Sequence, residues 1–190
     1  MAPPERYIAD MIPTGMVTAD ELLQLDIPGK RAELIRGVLV VSEPPGYRHG
    51  DVTARLAKIL MDHVDHDDLG RVLAAETGFR LAHDPDTVRA ADVAFIRRER
   101  LPHPPPDGYA DLAPDLVVEV LSPNDRPGKV LAKVADWLDA GSRLVWVVDP
   151  KRRHARVYRA EGRESLVPEG GTLDGEDVVP GFTCPLAAIL

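Results

Sequence analysis

The sequence predicts an α/β domain with a mixed central β-sheet flanked by helices. Three observations carry that prediction. "DLVVEVLS" and "RLVWVVDP" read as buried strands, and between them "PGKVLAKVADWLDAG" reads as a helix stopped by Gly141. Strand, helix and strand in that order make a β-α-β unit, whose right-handed crossover sets two parallel strands side by side. Further strand pairs, "RVLAAETGFRL" with "ADVAFI" and "HARVYRA" with "ESLVPEG", flank that unit and make the sheet mixed.

The elements follow in order. Residues 1–15 read as an N-terminal arm without a core pattern, and residues 16–190 as one domain. "TADELLQL" starts a short helix, because Thr18 and Glu21 have capping-box spacing. "RAELIRGVLVVSEPP" is a strand or hairpin closed by Pro44-Pro45-Gly46. From Tyr47 to about Asp67, Val52, Leu56, Ile59, Leu60 and Val64 recur at helical spacing, and Gly70 is expected to close that helix. "AHDPDTVRA" is a turn-rich connection between two strands. Residues 102–114, with five prolines, form an irregular surface loop. The tail, "VVPGFTCPLAAIL", has too little pattern to assign.

Composition narrows the classes. The chain has 190 residues, 44% hydrophobic and 28% charged, which describes a globular protein with a real core. No apolar run approaches the roughly 20 residues that span a bilayer, and the N-terminus lacks the pattern of a secretory signal. One cysteine, Cys184, can form neither an internal disulfide nor a zinc site alone. That suits a cytoplasmic protein. The net charge of −8 argues against a module that coats DNA non-specifically, and says little about catalysis.

The chemistry gathers on acidic residues in strands. In "APDLVVEVLSPND" a carboxylate, Glu119, interrupts an apolar strand. Residues two apart share a face, so Asp115, Val117, Glu119 and Leu121 point one way and Leu116, Val118 and Val120 the other. Glu119 therefore needs a cation, a proton or a hydrogen-bond donor. Asp92, at the start of "DVAFI", can lie at the same height on a neighbouring strand. Two such carboxylates suit a hard cation such as Mg²⁺. The bland alternative for Glu119 is an ion-pair partner or an edge residue, and for Asp92 a strand-start residue. Lys129 and Lys133 stand four apart on the following helix and share a face. Either could return an ammonium towards the carboxylates, or both could be solvated. The tract "MDHVDHDD" resembles a metal-binding run but falls around a helix end, where a solvated face is the simpler reading.

"AADVAFI", "APDLVVEVLSPND", "KVADWLDAG" and "RLVWVVDP" followed by "RVY" resemble the Uma-type restriction endonuclease family of the PD-(D/E)XK nuclease superfamily. The likeness runs from about Glu33 to "VVPGF", with "ELIRGVLV" and a histidine as weaker upstream support. It implies a restriction-endonuclease-like core. Asp92 matches the aspartate of the first half-motif, with Ala91 where the proline would stand. Glu119 matches the acidic residue of the second. Leu121 occupies the usual lysine position, and the family's displaced lysine corresponds to Lys133, with Lys129 as second choice. The family's upstream glutamate and histidine correspond to Glu33 and His49. The literal "PD" at Pro114-Asp115 is a false match. It stands on the strand of Glu119, roughly 13 Å away at 3.3 Å per residue, too far for one small ion to bind both.

The resemblance implies a Mg²⁺-dependent endonuclease acting on DNA, with Mn²⁺ as a possible substitute. Asp92 and Glu119 would hold the cation and Lys133 would assist. The rival reading is a binding or scaffold protein on a nuclease fold whose site has decayed, because fold does not establish activity. A weaker third is a hydrolase of small phosphorylated molecules. Cutting both strands of a duplex calls for two sites related by a two-fold axis, so a homodimer is expected. Its contacts would come from the 102–114 loop or the C-terminal hairpin region.

Overall fold

A computed structural model describes residues 15–190, so the arm expected over residues 1–15 lies outside the described residues except for Gly15. The capping box forms: the Thr18 hydroxyl accepts the Glu21 N–H at 3.2 Å and the Glu21 carboxylate accepts the Thr18 N–H at 2.8 Å. It opens helix α1 (Ala19–Gln24). Strands β1 (Arg31–Ile35) and β2 (Val38–Ser42) make an antiparallel hairpin. Its turn residues, Arg36 and Gly37, both adopt positive φ, as a two-residue hairpin turn requires. Helix α2 (Tyr47–His66) buries Val52, Leu56, Leu60 and Val64 along one face.

Two boundaries differ from expectation. Helix α2 ends at His66 with Asp67 as its cap, Asp68 turns left-handed with φ 53°, and Gly70 begins strand β3 (Gly70–Ala82) instead of closing the helix. The expected connection over 82–90 shrinks to the turn between β3 and β4 (Thr87–Arg97). "TVRA" pairs with β3 because cross-strand hydrogen bonds outweigh its neighbouring turn residues.

Strand β5 (Leu116–Val120), helix α3 (Pro127–Asp139) and strand β6 (Leu144–Asp149) form the expected β-α-β unit, with β5 and β6 parallel. β7 (His154–Arg159) and β8 (Glu164–Pro168) continue the sheet as an antiparallel hairpin. The unassigned tail contributes β10 (Thr183–Pro185), which pairs with β9 (Thr172–Asp174), just upstream of it, in a separate two-stranded sheet. The main sheet runs β2-β1-β4-β5-β6-β7-β8, with β3 on the other edge of β4.

The alternation expected of β5 is what separates the two cores. Leu116, Val118 and Val120 pack with Leu56 and Leu60 of α2 and with Phe182 and Leu186 of the tail. Val117 packs on the opposite face with Val134 and Trp137 of α3. Glu119 shares that second face. One further feature positions the site. β1 meets β4 at Leu34–Val88, and β5 meets the same edge of β4 from Val93 to Phe95. Between them, residues 89–92 of β4 have no strand partner on that edge.

Candidate active site

The gap on β4 is filled by side chains. Buried backbone groups must find partners, and Ala90 finds two of the expected site residues. Its N–H donates to Glu33 Oε1 at 2.8 Å, and its carbonyl accepts from Lys133 Nζ at 2.8 Å. Glu33 arrives from β1 and Lys133 from α3, so the hairpin and the helix close on the gap from two sides.

Asp92 ends the gap. Opposite it β3 carries a bulge: Ala74 pairs with Val93 and Thr77 with Ala91, which leaves Ala75 and Glu76 facing Asp92 alone. The bulge breaks the alternation of β4. Ala91 lies in the α3-side core and Val93 in the α2-side core, with Asp92 between them. Its Oδ2 accepts the Val120 N–H at 2.7 Å and pairs with His49 Nε2, from the first turn of α2, at 3.1 Å. Its Oδ1 is buried and has no hydrogen-bond partner. Burial disfavours the Asp92 charge, but His49, the Val120 N–H and Lys133 outweigh it and hold the pKa below the ordinary value.

Glu119 stands one step beyond the last β4–β5 pair, Val93–Val118, at the height of Asp92. It accepts from Lys133 Nζ at 2.9 Å on Oε2 and from Trp137 Nε1 at 2.8 Å on Oε1. Burial raises its pKa to about 7, with the charges of Asp92 and Glu33 adding to the rise and Lys133 opposing it. Burial also works against the charge of Lys133, but Glu119 and Glu33 prevail and push its pKa upward. Burial opposes the Glu33 charge as well, yet Lys133, Arg89 and the Ala90 N–H hold its pKa down. Arg89 ties Glu33, at 3.1 Å, to Asp136 of α3, at 2.8 Å.

The donors suit a hard divalent cation. Asp92 Oδ1 is a buried acceptor without a donor, on a carboxylate at the height of Glu119. Among the described residues no three His, Cys, Asp or Glu side chains form a closed metal cage. A Mg²⁺ ion that keeps several of its waters needs only one or two carboxylates.

The five expected residues thus come together as two adjoining clusters, Glu119 with Lys133 and Glu33, and Asp92 with His49, which influence each other through charge. Lys129, also a candidate, is exposed in the first turns of α3. Asp115 is buried near the other end of β5, where it accepts the Arg97 N–H at 2.9 Å and pairs with Arg100 at 2.8 Å. In "MDHVDHDD", His63 bonds the Pro180 carbonyl at 2.9 Å and His66 pairs with Asp67. Sequence reasoning missed Arg89, Asp136 and Trp137. Trp137 had a usable signal, because it follows Lys133 by four residues and shares its helical face.

No curated protein matches the chain. The crystal structure of a "putative nuclease belonging to DUF820" from Anabaena variabilis ATCC 29413 has a TM-score of 0.80 at 19% identity. The match covers 91% of this chain and 97% of that one, and at such identity it establishes the fold. The family model "Uma2: Putative restriction endonuclease" matches residues 19–187, and the chain belongs to that family.

Proposed function

We propose that this protein is an endonuclease that hydrolyses phosphodiester bonds in DNA with a divalent cation, Mg²⁺ or Mn²⁺, held by Asp92 and Glu119. The supporting observation is the donor-free Asp92 Oδ1, buried at the height of Glu119 at the end of the β4 gap. A bound cation of this kind supplies a water of lowered pKa and neutralises charge on the phosphate. The protein supplies the rest. His49 and the Val120 N–H fix Asp92 through Oδ2 and leave Oδ1 free. Lys133 stays protonated, so it serves as a fixed positive charge towards the phosphate rather than as a base. Glu33 and the Ala90 carbonyl hold that ammonium in place. Lys133 and Trp137 each donate to one Glu119 oxygen and so fix the carboxylate that would hold the cation.

The test is cleavage of supercoiled plasmid DNA in Mg²⁺, with EDTA as control. Glu119→Ala should abolish Mg²⁺-dependent cutting, and a purified variant that still cuts would refute the assignment. Two cuts in one duplex call for a two-fold homodimer, and a DNA substrate fits a cytoplasmic setting.

One observation favours the scaffold reading instead. Both Glu119 oxygens are already engaged, and Lys133 has three acceptors. Such a closed network can serve packing alone. Calorimetric titration with Mn²⁺ separates the readings: no binding, or binding indifferent to Asp92→Asn, selects the scaffold.

A further inference from the structure

Asp92 Oδ1 has no hydrogen-bond donor, yet a cation stands near it. Arg31 Nη2, from the first residue of β1, lies 3.6 Å away, while Arg31 Nε is held at 2.5 Å by Glu76 Oε2. Glu76 comes from the β3 bulge opposite Asp92. There Ala75 and Glu76 adopt φ of 58° and 62°, two successive non-glycine residues in the left-handed region. Such backbone is strained and persists only where surrounding contacts impose it. Glu76, Asp92 and His49 also line one cavity of about 300 Å³, whose other walls include Gly50, Ala54 and Ala74. The carboxylate that anchors Arg31 and the carboxylate with the free oxygen therefore open into the same space.

We propose that Arg31 is a substrate-positioning residue, parked beside Asp92 by Glu76 in the cation-free protein and released to a phosphodiester oxygen when a divalent cation takes Oδ1. The inference rests on the nuclease reading above and adds a residue to it. A guanidinium and a dication at one carboxylate oxygen are like charges at contact range and repel strongly away from bulk water. Arg31 is the member free to leave. Its side chain is 23% exposed, and its anchor Glu76 is 28% exposed, so it can swing without crossing the core. A planar guanidinium fork matches the paired oxygens of a phosphate better than a point charge does. Cation and substrate binding are then coupled, since the first frees the group that receives the second.

Three variants test this, each checked for folding by its urea midpoint in EDTA. Arg31→Met removes the competing charge and should bind Mn²⁺ about tenfold more tightly than wild type in calorimetry. Arg31→Lys keeps the charge and should stay near the wild-type Mn²⁺ affinity. In Ca²⁺, fluorescence anisotropy should show Arg31→Met binding a short DNA duplex several-fold more weakly than wild type. Arg31→Gln carries the same expectations as Arg31→Met should the latter not fold. Mn²⁺ affinity that is unchanged or weakened in the neutral variants overturns the proposal, as does unchanged duplex affinity. A wild-type protein that takes up no Mn²⁺ overturns the nuclease reading as well. Normal wild-type uptake with no gain in Arg31→Met overturns only the role given to Arg31.

Discussion

The stability of the metal-free protein should fall as pH rises through neutrality, and Glu119 should be the cause. Burial lifts its carboxyl from the ordinary value of 4.5 to about 7. Between those values the folded protein holds a proton that the unfolded chain has released, so rising pH favours unfolding. Its stabilising contribution is complete below about pH 4.5 and gone above about pH 7. Asp92 and Glu33 behave oppositely. Their folded values lie below the ordinary ones, so their contribution is present above pH 4 to 5 and lost in acid. The interval for Glu119 corresponds to about 3 kcal/mol, most of it between pH 5 and 8. For a chain of this size that lowers the melting temperature by roughly 5–10 °C. Glu119→Gln removes the titration. Urea unfolding in EDTA at pH 5, 6, 7 and 8 should show the wild-type free energy falling by about 2–3 kcal/mol relative to the variant. Parallel profiles would refute the account.

Further outcomes follow from the site and its surroundings. Lys133→Met should lower Mg²⁺-dependent cleavage by about 10²–10³-fold, while Lys129→Met leaves it unchanged; plasmid nicking compares them. The stability loss in Lys133→Met should stay below the roughly 3–5 kcal/mol of a broken buried ion pair, because Glu119 takes up a proton; urea titration at pH 7 reads it. His49→Ala leaves Asp92 Oδ2 with the Val120 N–H alone and should cost about 1–3 kcal/mol in the same assay. Asp115→Asn weakens the pairing with Arg100 and should lower the melting temperature without changing Mn²⁺ affinity, whereas Asp92→Asn should abolish Mn²⁺ binding in calorimetry.

What was legible in the sequence was local. The Glu119 anomaly, the Thr18 cap, the α2 stripe and the β-α-β unit each need only a short window. So did the case against Asp115, which follows from strand rise alone. The gap on β4 was not legible, because it depends on β1 and β5 meeting one strand edge from segments far apart in the chain. Arg89 looked like a residue of a turn until "TVRA" paired with β3. The bulge at Ala75 and Glu76 has no glycine or proline to announce it, and only the register against Asp92 exposes it.

The placing of the ammonium on a helix follows from this arrangement. A lysine at 121 would share the face of Glu119, but β5 ends at Val120, and Leu121 instead packs its side chain into the α3-side core. The ammonium is supplied from α3. Lys133 and Trp137, four residues apart, both donate to Glu119, while Val134 and Trp137 anchor the helix in the sheet. One docking event therefore builds the core and completes the donor set of the buried carboxylate. Cutting back the core contact at Val134 should then loosen Lys133 and Trp137 together. Val134→Ala, which leaves every hydrogen-bonding group of the site in place, should move the Glu119 pH profile as well as lowering stability by about 1–3 kcal/mol. A purely additive loss of stability, with the pH profile unmoved, would mean that the lysine is held by the Ala90 carbonyl and Glu33 alone.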